Sequence, residues 1–407
     1  MSEQLNTLTG RASEHMNKLG NFDVVVVGAG LGGLQCARLL ARAGLRVLLA
    51  DRKRALDENV HTTGIFVRRT LEDFDLPPDC LGPAVSRVTL YSPARRRLEL
   101  TSPHAEFRVG RMGRLYTRFL ADGTRAGVTW SPATRYLGCT VSAHGGVEVE
   151  LEVEGRAARV SARFLVGADG AQSRVARDLG LDTNREWIVG VEDVYAGVLT
   201  NDEPRFHCFL SPRLAPGYLA WVVADGTETH VGVGGYAARF EPTRALAEFT
   251  ESVSQMFALD RGRRVERRGG RIPVGGVLRR IKCAHGLLVG DAAGAVSPLT
   301  AGGLDPCLRL SSLAARVIED YLTSGDAAAL APYSGARFRA RFTSRLWLRR
   351  VHATLSDPRL VELACAAARL PLLRRFAWHV FFGRGSFPDV ETTRVGAHAV
   401  VSNSAAV

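Results

Sequence analysis

The sequence predicts an α/β protein: a doubly wound domain, an inserted strand-rich domain and a helical C-terminal tail. Three observations predict it. Residues 22–27, FDVVVV, carry four consecutive valines and lead through a glycine turn into LQCARLLARAG, which has helical periodicity. Residues 187–235 are dense in short apolar runs separated by turn residues. From residue 331 the pattern is helical and rich in arginine.

A strand buried on both faces reads as a continuous apolar run, which is what Val24–Val27 offer. Gly44 ends the helix that follows, and LRVLLA (45–50) reads as a second buried strand, giving a β-α-β unit. Residues 85–101 alternate as in a hairpin with one wet face, and 147–168 read as a hairpin that runs into a buried strand. Strands over 187–235 precede a helix near 242–258. GLLVGD (286–291) is again strand-like, and a glycine turn leads into a helix over 303–323. Asp357-Pro358 and Pro371 break the C-terminal helical region. The domain assignment is therefore discontinuous: a polar leader over 1–21, the doubly wound domain over 22–75, 105–180 and 270–325, the strand-rich domain over 76–104 and 181–269, and the tail over 326–407.

A chain of 407 residues suggests about two domains. It has no uncharged apolar run of membrane-spanning length and no signal-peptide core, so a cytoplasmic protein is expected. Seven scattered cysteines without a C-x-x-C pair argue against a disulfide framework or a metal site. The net charge of +12 does not point to nucleic acid: all but three of the 53 basic residues are arginine, a skew that coding bias explains. The charge is nevertheless uneven, with twelve arginines against four acids over 331–407. That segment could meet anionic lipid heads at a membrane surface, or an acidic carrier protein. The other reading is a capping helix with solvated arginines.

Gly28, Gly30 and Gly33 have G-x-G-x-x-G spacing between a predicted strand and a predicted helix. The first permits the turn, the second lets backbone approach a pyrophosphate and the third lets helix and strand pack closely. Asp51 ends the second strand, where a carboxylate can accept from ribose hydroxyls. Arg52 follows, either over the adenine side or solvated. This constellation predicts a dinucleotide site without separating FAD from NAD.

Two further stretches, GADGAQSRVARDLG (167–180) and GDAAGAVSPLTAGG (290–303), complete an ordered trio. The trio resembles FAD proteins of the para-hydroxybenzoate hydroxylase fold, and within them the geranylgeranyl reductase family. PGYLAWVVADGTETHVGVG (216–234) resembles that family's Pro-Gly-Tyr-x-x-Trp strand pair. The likeness covers most of 22–323 and fades over 331–407. It implies non-covalent FAD, with NADPH or NADH as reductant. Gly290 and Asp291 would then place a carboxylate on ribityl hydroxyls, or Asp291 would be a helix cap. Gly302 and Gly303 would open a helix at the flavin pyrimidine edge, where its positive end stabilises charge. Asp169 and Gly170 resemble the pair that meets flavin phosphate, and read equally as a turn. Arg111 or Arg114 resembles an arginine that opens a helix over the cofactor.

Departures bear on the chemistry. His61, Thr62 and Thr63 stand where many reductases of the group carry a cysteine-glycine stretch, and Asp305-Pro306 replaces a His-Ala-like pair. A proton donor is needed near an alkene, and His61 or Tyr218 could serve, although His61 also reads as a plain loop histidine. The W-x-W-x-I-P element of flavin halogenases is absent. The favoured expectation is an FAD-dependent reductase of carbon–carbon double bonds in a small apolar substrate, lipid or carrier-bound. The alternatives are a monooxygenase of the same fold and a protein that uses FAD as a scaffold.

Overall fold

The structure is a computed structural model that describes residues 17–142, 145–197 and 203–383. β1 (Asn17–Val27), α1 (Leu31–Arg42) and β2 (Val47–Ala50) form the opening β-α-β unit. β1 reaches back to Asn17, because Asn17 and Lys18 find partners in Ala158 and Arg159 before an irregularity in the register. Next come β3 (Ile65–Val67), α2 (Arg68–Asp73), β4 (Leu81–Val85), the hairpin β5 (Arg87–Tyr91) and β6 (Arg97–Thr101), and β7 (Phe107–Gly110). Then follow α3 (Met112–Arg125), β8 (Thr129–Ser131), β9 (Thr134–Val141), β10 (Val147–Val153), β11 (Arg156–Gly167) and α4 (Arg174–Asp178).

The first half of β11 closes a hairpin with β10, and its second half pairs in parallel with β1, from Val24↔Phe164 to Val27↔Gly167. One strand thus serves a wet hairpin and a dry sheet, as the change from alternating to continuous apolar residues requires.

β12 (Trp187–Ala196), β13 (Arg205–Phe209), β14 (Ala220–Ala224), β15 (Glu228–Gly235), α5 (Pro242–Phe257) and β16 (Arg264–Pro273) make up the strand-rich region. β17 (Lys282–Cys283), β18 (Gly286–Leu288) and α6 (Leu304–Ser324) return the chain to the first sheet. Four helices finish the described chain: α7 (Gly335–Ala340), α8 (Thr343–Thr354), α9 (Pro358–Ala367) and α10 (Pro371–Phe382). Pro358 and Pro371 occupy helix starts, where a missing N–H costs nothing.

The first sheet runs β17-β18-β11-β1-β2-β8, with β10 and β9 extending from β11. Its inner strands are parallel, and Val24, Val25 and Val26 are wholly buried. The second sheet runs β16-β12-β15-β14-β13-β5-β6 and is antiparallel except where β5 pairs with β13. A small third sheet orders β3-β7-β4.

Strand periodicity gives the second sheet two unlike faces. One carries Val191, Val222, Val231 and Val233 and packs on Leu246 and Phe249 of α5. The other carries Glu192, Trp221, His230 and Arg268, whose strand positions are in register across β12, β14, β15 and β16. Trp221 lies flat on that face because Gly232 opposes it: a Cβ there would sit 2.2 Å from its ring. Among the described residues, no helix is long and apolar enough to cross a membrane.

Candidate active site

The three glycine stretches meet at the carboxyl ends of the parallel strands, the place where doubly wound sheets bind ligands. Gly28 has φ +104°, and a Cβ on it would stand 2.3 Å from the Ala168 carbonyl oxygen. A Cβ on Gly33 would stand 1.9 Å from the Gly28 oxygen. These two glycines permit the turn and the close packing. Gly30 differs: a Cβ there would meet open space, so its bare backbone is open to approach. α1 begins at that point without a side-chain cap, leaving its first N–H groups for a ligand.

Asp51 accepts from the Ala29 N–H at 2.7 Å and the Lys53 N–H at 2.8 Å, fixing the glycine loop to the end of β2. Arg52 is exposed beside it. One oxygen of Asp169 accepts from the N–H groups of Arg174 and Val175 at the start of α4. Its other oxygen is buried and without a hydrogen-bond partner among the described residues. Both readings of this aspartate therefore survive in one side chain, and Gly170 beside it takes φ +82°.

Asp291 lies in the turn Gly290–Ala293, and no described residue hydrogen-bonds its carboxylate. Burial pushes that carboxyl up to about 6. α6 starts from Gly303 with no side-chain cap, and Gly302 stands exposed just before it. Asn184, which the sequence did not single out, ties two glycine stretches together: its Nδ2 donates to the Ala171 and Asp291 carbonyls at 3.0 and 2.8 Å.

The remaining predicted residues engage partners within the protein. Arg111 and Arg114 both donate to the Asp79 carbonyl, and Arg111 also reaches Asp225, with Nε 3.9 Å from its carboxylate. They bridge the chain toward the second sheet. Asp305 is buried, accepts from Thr70 and Arg309, and so joins α6 to α2, with Arg309 also bound to Asp73. His61 is exposed beside Gly269 and Gly270; burial of part of its ring, with Lys53 nearby, holds its pKa below the usual value. The Tyr218 hydroxyl donates to the Thr300 carbonyl at 2.7 Å, and burial pushes the phenol up. That bond anchors the second sheet to the loop preceding Gly302.

Sequence reasoning missed a buried polar cluster behind the Thr62–Gly64 turn. Glu192 accepts from the Thr63 hydroxyl at 2.5 Å and from Trp221 Nε1 at 3.3 Å. His230 Nδ1 is 3.5 Å and Arg268 Nη1 3.6 Å from its other oxygen. Burial opposes ionisation of Glu192, but His230, Thr63 and Arg268 outweigh it and hold the carboxyl below its usual range. Asp225, Glu228 and His230 also bring ligand-type atoms within 4.8 Å of one another, yet Asp225 Oδ1 is taken up by Thr227 and Glu228 of its own turn.

The comparisons agree with this geometry. A family model described as "FAD binding domain" matches residues 21–341. The chain is 31% identical over 317 residues to a digeranylgeranylglycerophospholipid reductase of Methanothrix thermoacetophila, covering 75% of this chain and 79% of that one. The chain belongs to this family of FAD-binding reductases. It is accordingly an FAD-dependent oxidoreductase. In fold, the family member is similar to a geranylgeranyl bacteriochlorophyll reductase-like protein of Thermoplasma acidophilum, with TM-score 0.78, 23% identity and coverage of 91% and 98% of the two chains. It is also similar to p-nitrophenol 4-monooxygenase of Pseudomonas putida, with TM-score 0.69, 18% identity and coverage of 89% and 98%.

The residues present fit FAD. The orphaned buried oxygen of Asp169 calls for a polar ligand atom, and the open backbone at Gly30 and the Asp291 carboxylate, free of protein donors among the described residues, are placed to meet one. Hydroxyl donors favour the ionised form of Asp291, so cofactor binding should release its proton. FAD affinity is then expected to rise as pH climbs through about 6 and to level off above it. Titrating apoprotein with FAD across this range checks it. Asp291→Asn should flatten the profile, and an equally steep profile in that variant would remove Asp291 from the site.

Proposed function

We propose that the enzyme reduces carbon–carbon double bonds in the prenyl chains of a lipid, with NADPH or NADH as the source of electrons. The observation that carries this reading is the 31% identity over 317 residues to a digeranylgeranylglycerophospholipid reductase; a continuous stretch of packed apolar side chains between the second and third sheets accords with it. Ile65, Phe206 and Leu219 belong both to the cluster around Phe107 and Phe382 and to the cluster around Val109, Trp221 and Val223. Apolar surroundings of this kind suit a hydrocarbon substrate, whereas a small polar aromatic one would leave hydroxyls unpaired.

The residues divide the work. Asp51 and Asp291 would hold ribose and ribityl hydroxyls, the α1 N-terminus would face the pyrophosphate, and the α6 N-terminus would face the pyrimidine edge. Bound FAD supplies hydride chemistry. Glu192 holds Thr63 and Trp221 by hydrogen bonds and so ties the Thr62–Gly64 turn to the second sheet. Tyr218 fixes the Thr300 loop, and its proton points at the Thr300 carbonyl.

The test is product mass after incubation of the FAD-loaded enzyme with NADPH and a geranylgeranyl-chain phospholipid. The reductase reading expects a gain of two hydrogens per reduced bond. Gain of one oxygen supports the monooxygenase alternative. Flavin that never turns over supports a scaffold role.

A further inference from the structure

Eight of the eleven large apolar side chains that stand exposed among the described residues fall within Trp347–Phe376. Six of them, Leu360, Leu363, Leu370, Leu372, Leu373 and Phe376, lie on α9, on α10 and at the junction between them. Leu372 is 77% and Leu363 67% exposed. This is not the outer face of an ordinary surface helix. α10 already spends one apolar side on the protein: Phe382 is buried, Ala377, Trp378 and Phe381 pack beside it, and Trp378 Nε1 donates to the Thr101 carbonyl at 3.2 Å. A surface helix should then show water a polar face, and α10 shows it leucine and phenylalanine instead.

Arginines rim the apolar knuckle. Arg359, Arg369, Arg374 and Arg375 are all exposed. Arg369 and Arg374 each give one bond to a carbonyl of β6, at 3.3 and 3.1 Å, which sets their direction without neutralising them. The one acid on these two helices, Glu362, turns inward: it accepts from the Ala94 N–H at 3.0 Å and pairs with Arg96 at 3.6 Å. The outward surface is therefore apolar and cationic together. That combination matches a leaflet with anionic headgroups, since apolar side chains enter the acyl boundary while guanidinium groups stay among phosphates.

We infer that the α9–α10 knuckle docks the enzyme on an anionic phospholipid surface. The inference rests on the reductase reading for the reason to visit a bilayer, but the surface itself does not depend on it. The far end of α10 borders a small surface depression lined by Phe107, Phe381 and Phe382 together with Arg68, Glu72 and Glu106. A docked enzyme would thus meet a prenyl lipid at the surface of the layer that holds it.

The test uses the full FAD-loaded chain and the variant Leu372→Glu/Phe376→Glu. Both are sedimented with vesicles of phosphatidylcholine alone and of phosphatidylcholine with phosphatidylglycerol, at low and high salt. Wild type should bind the anionic vesicles, more weakly at high salt. The variant should lose about tenfold or more in affinity while keeping its FAD and its melting temperature. Its turnover should fall on vesicle-embedded substrate and stay unchanged on the same substrate in detergent. Wild type that ignores anionic vesicles, a variant that binds them equally, or wild type that is retained by an acyl carrier protein in place of vesicles overturns the inference. Failure of the reductase reading shows separately, as absence of reduction in detergent with vesicle binding intact.

Discussion

Glu192→Ala is expected to destabilise the folded protein by about 3–5 kcal/mol, the range for removing one partner of a buried charge cluster. Glu192 is only 3% exposed, and four groups converge on it. Its loss leaves the Thr63 hydroxyl and Trp221 Nε1 without their acceptor and Arg268 without one counter-charge. Arg268 still meets Glu266 at 2.7 Å, so the lower end of the range is the expected value. Glu192→Gln keeps an acceptor for Thr63 and Trp221 and should cost less. Urea unfolding of the FAD-loaded variants measures both, and an alanine variant within about 1 kcal/mol of wild type would mean the cluster is not coupled to folding.

Asp51→Ala should weaken FAD binding by about 1.5–3 kcal/mol, roughly ten- to hundredfold in affinity. Two losses add. The Ala29 and Lys53 N–H groups lose the carboxylate that fixes the glycine loop, and the ribose hydroxyls lose an acceptor. Asp51→Asn retains one oxygen for the Ala29 N–H and should fall between the two. Equal affinity in all three proteins, by titration of apoprotein, would show that this carboxylate only braces the loop from outside.

The parts of the fold that were legible are those specified over short distances. Val24–Val27, the glycines at 28, 30 and 33, and Asp51 carry their message within 28 residues, because a parallel strand, a tight turn and a helix start each impose local residue types. The hairpin over 147–168 was legible too, since its pattern changes where the strand passes from wet to dry. The pairing of β5 with β13 was not, because nothing near Arg87 names Arg205 as its neighbour. The Glu192 cluster stayed hidden for a related reason. Glu192, His230 and Arg268 each sit singly among strand residues, where a lone charge reads as a solvated face. Only the register of three strands shows that they share one buried face. The signal that could have found them is the glycine content of the same strands, Gly190, Gly232, Gly234 and Gly270, which share that face and mark it as carved out for something else. Asn184 gave no local sign of its bridging position.

The central claim is that electrons pass from reduced FAD to a carbon–carbon double bond. The most direct measurement reduces the FAD-loaded enzyme without oxygen and mixes it with a geranylgeranyl-chain phospholipid while flavin absorbance is followed. The claim predicts that the oxidised flavin spectrum returns under strict anaerobiosis, with lipid two hydrogens heavier for each flavin reoxidised. A spectrum that stays reduced until oxygen is admitted, with the lipid then gaining an oxygen atom, would contradict it.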